Sequence, residues 1–165
     1  MNVSIYESDS TNVHRAYELM RMAFEHQRRF VDPEPGIFRK DTIGSLSAAV
    51  SRGEQRLIVA LHRKQILGAL LCCPNKDTPQ DYYFGRLAVN PRYQHNGIGS
   101  MLVEDVESWA KSNGYQRVTC YVRIALRQNI AFFENRGYQI YGEGTHDGFD
   151  KPTFYKMAKN TSGNE

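Results

Sequence analysis

Residues 85–100, GRLAVNPRYQHNGIGS, run from an apolar strand through a proline and two glycines into an amphipathic helix, and this stretch sets the topology around it. Leu87 and Val89 end a strand over 82–89, which Asn90 and Pro91 terminate. Ile98, Leu102, Val106, Trp109 and Ala110 then share one helical face, and Asn113 and Gly114 offer an easy left-handed cap. A further strand over 116–122 follows at once. Strand, helix and strand in that order predict a parallel pair joined by a right-handed crossover. The first N–H groups of a helix have no internal partner, and adjacent glycine lets a phosphate approach closely, so the turn is a candidate diphosphate cradle. It is neither the GxGxxG dinucleotide fingerprint nor a P-loop, since no GKS or GKT is present.

The rest of the chain supplies the elements such a unit needs. A strand is predicted over 3–6. A helix over 11–27 follows, with Val13, Ala16, Tyr17, Met20, Ala23 and Phe24 as its apolar stripe. Arg28, Arg29, Phe30, Asp32, Pro33, Glu34, Pro35 and Gly36 then make a polar and aromatic loop that could wall a substrate site. A second helix covers 42–51. Strands over 56–61 and 65–73 form a hairpin through the turn HRKQ, a helix spans 127–135, and strands over 138–144 and 153–158 close the chain. The expected architecture is one domain over 1–160, an α/β mixed sheet of about seven strands, mostly antiparallel, with about four helices. Residues 161–165 are expected to fray.

Composition narrows the function. Hydrophobic residues make up 41% and charged residues 24% of the 165, which is ordinary for a globular chain. A net charge of +3, with arginines scattered among acids, argues against nucleic acid as a partner. No run approaches the roughly 18 apolar residues of a membrane span, and the N-terminal MNVSIYESDS lacks the basic-then-apolar order of a secretory signal, so a cytoplasmic location is expected. Cys72, Cys73 and Cys120 read as reduced thiols in apolar strands, and the five histidines form no metal-ligand signature, so no metal is expected.

The stretch Leu87, Val89, Pro91, Gln94, Gly97, Gly99 resembles the acetyl-CoA signature of the GNAT superfamily of N-acetyltransferases, a strand ending LxVxP followed by Q/R-x-x-G-x-G/A at a helix start. A second block about 30 residues on, NIAFFENRGY over 129–138, is similar to the family's helix that ends in GF or GY. The resemblance implies the GNAT fold, splayed at a cofactor cleft between the strands 82–89 and 116–122. It also implies acetyl-CoA as the acetyl donor and a primary amine as acceptor, whether small molecule, protein or peptide. Homodimers are common in the family.

Carried over by position, the backbone of Leu87, Ala88 and Val89 would pair with the pantetheine arm as though it were a short extra strand. Gln94 belongs to the same motif, and the amides of His95, Asn96, Gly97, Ile98, Gly99 and Ser100 would take the diphosphate. Asn129 would bond near the pantetheine or cap its helix, and Phe132, Phe133 and Arg136 would border the cofactor or simply pack. The implied chemistry is attack by a neutral amine on the thioester carbonyl, with an N–H near Val89 as oxyanion donor. The tyrosine that protonates the thiolate in many relatives is Phe133 here, so the catalytic acid and base stay unassigned, with Tyr83, Tyr138, Tyr141 and Tyr155 as equal substitutes. Glu25, His26, Arg28 and Arg86 are candidate acceptor contacts, Arg29, His146 and Asp147 weaker ones. A covalent route through Cys120 is disfavoured against direct transfer. A catalytically silent CoA-binding module and transfer of another short acyl group are the rival readings.

Overall fold

Strands β2 (Arg56–His62) and β3 (Gln65–Pro74) are apolar along nearly their whole length and buried on both faces, which fixes them in the interior of a sheet. The computed structural model describes residues 1–163. With β1 (Ser4–Ser8), β4 (Asp81–Val89), β5 (Arg117–Arg123), β6 (Gln139–Gly144) and β7 (Phe154–Asn160), these strands form one seven-stranded sheet in the order β1-β2-β3-β4-β5-β7-β6. The β4–β5 pairing is parallel and every other pairing is antiparallel, as the strand–helix–strand unit and the hairpins require. The final strand inserts beside β5 and leaves β6 at the edge. In the hairpin turn between β2 and β3, Arg63 and Lys64 both take positive φ, the backbone that joins antiparallel strands most tightly.

Helices cover both faces. Helix α1 (Val13–Phe24) buries Val13, Ala16, Met20 and Ala23 with α2 (Gly36–Arg39) and α3 (Ile43–Ser51) over Leu57, Val59, Ala69 and Leu71. On the other face α4 (Ile98–Ser112) and α5 (Arg127–Glu134) cover Ile58, Leu70, Phe84, Val118, Cys120 and Met157. The apolar stripe of α1 ends at Phe24, so the polar EHQRR that follows has nothing to pack on, and the helix stops short of the predicted residue 27. The short α2 was not predicted, because four residues are too few to show a period. Thr42 and Ser45 close a reciprocal capping box at the start of α3.

At the carboxyl end, Thr161 donates its N–H to the carbonyl of Gln116 (3.0 Å) and its hydroxyl to that of Tyr115 (2.6 Å). Residues 164–165 of the expected tail lie outside the described residues. No helix among the described residues is long and apolar enough to cross a membrane.

Candidate functional site

Strands β4 and β5 pair only through Asp81–Arg117, Tyr82–Val118 and Tyr83–Thr119, although β4 continues to Val89 and β5 to Arg123. A bulge accompanies the separation. Ala69 faces Ala88 while Leu71 faces Gly85, so three steps along β4 match two along β3, and Arg86 sits at φ +55°. The Arg86 guanidinium donates to the Asp41 carboxylate at 2.6 Å. It lies so close over Gly36 that a Cβ there would come within 2.3 Å of its Nη2. A side chain at 36 would press on this guanidinium, which would have to shift to make room.

Past the bulge, strand alternation assigns the backbone. Asn90 donates its N–H to the carbonyl of Leu67 in β3 (2.8 Å), and Ala88 is paired with Ala69. Two-residue periodicity then turns the N–H and C=O of Leu87 and Val89 the other way, into the gap. Ala88, expected to share that role, points its backbone at β3.

At the start of α4, His95 (φ +64°) and Gly97 (φ +78°) are both left-handed, with Asn96 between them donating to the carbonyls of Tyr93 and Gln94 at 3.1 Å each. Alternating hands of this kind turn successive N–H groups to one side and make a concave anion site. The first helical bond runs from Met101 N–H to the Gly97 carbonyl, so among the described residues the N–H groups of Ile98, Gly99 and Ser100 have no acceptor. Gln94, His95, Asn96 and Gly97 are exposed, whereas Ile98 is buried in the core and anchors the turn. An added Cβ at Gly99 would meet only Phe132 and Val89, both at 3.7 Å.

The segment 129–138 closes on this turn. Arg136 donates to the Ser100 hydroxyl at 2.7 Å and pairs with Glu104 at 2.9 Å, and its guanidinium lies over the Phe132 ring. Its Nε is buried without a hydrogen-bond partner. Phe133 is a core residue, its ring 5.8 Å from Phe84 and 5.5 Å from Tyr138. Asn129 is exposed at the third position of α5, and Leu126, not Asn129, precedes the helix as its cap. The structure thus brings Leu87, Val89, the turn 95–100, Phe132 and Arg136 to one place. Unpaired strand backbone beside an orphaned helix N-terminus suits a ligand with an amide-bearing arm and a diphosphate, so the residues present fit coenzyme A.

The other candidates divide. Glu25 and Arg28 form an exposed pair at 3.9 Å, Arg28 also binds the Glu34 carboxylate, and His26 is exposed. Arg86 sits at the β4 bulge. With Asp41, Gln55, Cys73 and Tyr83 it lines a cavity of about 100 Å³ on the α1–α3 face. Burial pushes the Tyr83 phenol well above its ordinary range, so it stays protonated there. Tyr138 donates to Glu107 at 3.0 Å, on the α4 side, and Tyr141 is exposed on the edge strand. Burial also pushes the Cys120 thiol up, which removes the thiolate a covalent route would need.

Sequence reasoning missed Tyr121, Arg123, Phe154, Arg39 and Asp41. Tyr83, Tyr121, Phe154 and His146 form a continuous run of rings with centroids 5.0–5.2 Å apart. Burial first, then Arg123, Arg39 and Lys40, lower His146 to about 4 against the opposing pull of Asp147, so its imidazole is neutral at pH 7. None of these residues lies in a recognisable motif, and only the fold assembles them.

Comparison with known proteins agrees with this geometry. The family model described as "Acetyltransferase (GNAT) family" matches residues 13–138. The PaiA N-acetyltransferase of Thermoplasma acidophilum, solved in complex with coenzyme A, superposes with a TM-score of 0.80 at 18% identity over 97% of this chain and 99% of that one. An acetyltransferase of the GNAT family from Streptococcus pneumoniae gives 0.71 at 17% identity over 96% and 99%. Among curated sequences, "Probable N-acetyltransferase 14" of Danio rerio is 40% identical over 58 residues, which are 35% of this chain and 21% of that protein's length. The family match spans most of the chain and the fold is the family's own: this protein belongs to the GNAT acetyltransferase family, which transfers acyl groups from coenzyme A.

Proposed function

We propose that the protein is an N-acetyltransferase that moves the acetyl group of acetyl-CoA to a primary amine by direct transfer. The observation that carries this reading is the unpaired backbone of Leu87 and Val89 opening beside the orphaned N–H groups of α4. In this reading the backbone of Leu87 and Val89 binds the pantetheine arm in the gap. The amides of residues 95–100 take the diphosphate, and Phe132 and Arg136 border it. Phe133 contributes packing alone. Acetyl-CoA, when bound, supplies the reactive thioester carbonyl. The Val89 N–H, which faces the gap, would donate to that carbonyl oxygen.

An alkyl ammonium has an ordinary pKa of about 10.4 and must lose a proton before it can attack. The guanidiniums of Arg86 and Arg123 border the cleft, and like charge nearby favours the neutral amine. The Asp41 carboxylate is held by Arg86, so this reading gives the amine's proton to water rather than to Asp41. Tyr83, protonated beside the gap, is the hydroxyl this reading assigns to the departing thiolate.

The test is thiol release from acetyl-CoA against a broad panel of small amines, protein N-termini and lysine peptides, with calorimetric CoA titration on the same sample. Acceptor-dependent release bears the proposal out. CoA binding with no release on any acceptor means a silent binding module, and failure to bind CoA at all overturns the site assignment.

A further inference from the structure

Two arginines on the α1–α3 face are left without carboxylate partners. Arg39, the last residue of α2, donates its Nε to the carbonyl of Glu34 at 2.8 Å, and Arg123, the last residue of β5, donates its Nη2 to that same oxygen at 3.5 Å. Two guanidiniums converging on one carbonyl hold like charges side by side, an arrangement that opposes itself unless an anion joins it. Their neighbours are already committed. Glu34's carboxylate pairs with Arg28 and Asp41's with Arg86, while Asp32 lies near Arg123 and Asp147 near His146 without either coming within 4.0 Å of Arg39 or Arg123. Among the described residues, no ion pair includes Arg39 or Arg123. Nη1 of Arg123 is moreover buried with no hydrogen-bond partner at all. A buried donor left unpaired in a folded protein points to a missing acceptor.

The position matters as much as the charge. Cys120 and Val122 of β5 face the α4 core, so alternation turns Tyr121 and Arg123 to the opposite face, where Tyr83 lies 5.1 Å from Tyr121. Arg123 therefore stands four residues beyond the last β4–β5 pair at Thr119, at the mouth of the gap on the side away from α4. A planar guanidinium whose Nη1 lacks an acceptor is matched to a carboxylate or phosphate.

We infer that the acceptor is a small primary amine that also carries an oxyanion group, and that Arg123 and Arg39 bind this group while the amine reaches back towards Val89. The inference rests on the acetyltransfer reading above and names its substrate class. Polycationic amines are the wrong acceptors for this cleft, because they would bring positive charge to a guanidinium pair that no carboxylate bridges.

The experiment uses matched acceptors in the thiol-release assay with acetyl-CoA. An α-amino acid is compared with its carboxamide, an aminoalkyl phosphate with the alkylamine of equal length, and a linear polyamine is included. The expected result is a kcat/KM at least tenfold higher for an anionic member than for its neutral partner. The phosphate and carboxylate arms report which oxyanion fits. In Arg123→Gln that preference collapses at least tenfold, mainly through KM, while CoA titration shows the variant folded and cofactor-competent. Arg123→Lys retains part of the preference, since a point charge remains and the fork is lost. Equal use of neutral and anionic members, a best rate with the polyamine, or an Arg123→Gln variant whose preference matches the parent's overturns the inference and leaves acetyltransfer standing. CoA binding without release on any acceptor overturns both.

Discussion

Gly97 and Gly99 look equivalent in a GxG motif, and their surroundings separate them. Gly97 holds φ +78° with open space where a Cβ would go, so its requirement is backbone conformation alone. Gly97→Ala should lose about 1–2 kcal/mol, the cost of placing an L residue in the left-handed region, and should weaken CoA binding as the turn relaxes. At Gly99, where φ is not left-handed, a methyl group meets Phe132 and Val89 at ordinary contact distance. Gly99→Ala should therefore stay within about 0.5 kcal/mol of the parent in urea denaturation and keep its CoA affinity. Equal losses for the two variants would refute the distinction. His146 makes a different prediction, one about pH. Packed on Phe154 and bonded to Thr153, it is held down to about 4 from an ordinary 6.5, first by burial and then by Arg123, Arg39 and Lys40. Between these values the unfolded chain binds the proton that the folded chain refuses, so stability rises with pH across the window. It is fully present above about 6.5 and is lost as pH falls towards 4. Allowing for partial exposure, the loss is on the order of 1–2 kcal/mol. Urea midpoints at pH 7.5 and 4.5 should fall further for the parent than for His146→Gln. Parallel falls would show that His146 does not titrate in this way.

Between strands, the buried Asp81 carboxylate is the pin that holds β4 and β5 together below the gap. Arg117 forks onto it from Nη2 at 2.6 Å and from Nε at 3.1 Å, and Asp81 is 1% exposed. Removing the arginine leaves that carboxylate charged in the interior, so Arg117→Met should cost about 3 kcal/mol. The double variant Asp81→Leu/Arg117→Met should recover part of that loss, and a double variant less stable than Arg117→Met would show that the charge is not what matters. At this scale the element order was legible, because the stripe from Val13 to Phe24 and the apolar runs of β2 and β3 declare their own periods. The gap between the strands of the crossover unit came from family resemblance, and the bulge that accompanies it was hidden. It turns on Arg86 in a conformation that nothing in GRLAV demands. Helix α2 was too short to show a period. Arg123 reads in VTCYVR as an ordinary strand end, and its role appears only when Glu34, 89 residues earlier, is folded against it. Glu25 and His26 were attractive as loop neighbours, but α1 ends before them and leaves both in solvent.

Across the whole molecule the two faces of the sheet are covered unequally, and this gives the cleft its direction. The core under α4 and α5 draws on both sides of the gap, with Ile58, Leu70 and Phe84 from one and Val118, Cys120 and Met157 from the other. The buried core under α1–α3 takes its strand residues from β2 to β4 and none from β5 to β7. The half-sheets are thus bound together behind the gap, and in front of it, where Tyr121, Arg123 and Phe154 stand, no buried apolar cluster spans them. Under the proposed reading, an amine arriving from the front would meet a thioester held from the α4 end, which would keep the two reactants on separate entry paths. This arrangement predicts an amide-exchange pattern. In the free protein the N–H groups of Leu87 and Val89 face the gap and should exchange quickly, while those of Ala88 and Asn90 are tied to β3 and should exchange slowly, a saw-tooth of period two along one strand. Saturating CoA should slow Leu87, Val89, Ile98, Gly99 and Ser100 together and flatten the saw-tooth. Ligand linkage also stabilises the fold as a whole, by about 2.7 kcal/mol at a hundredfold excess over Kd, so the diagnostic quantity is the ratio between neighbouring amides. A strand whose alternation is absent without CoA, or unchanged by it, would mean that the cofactor does not bind as an added strand at β4.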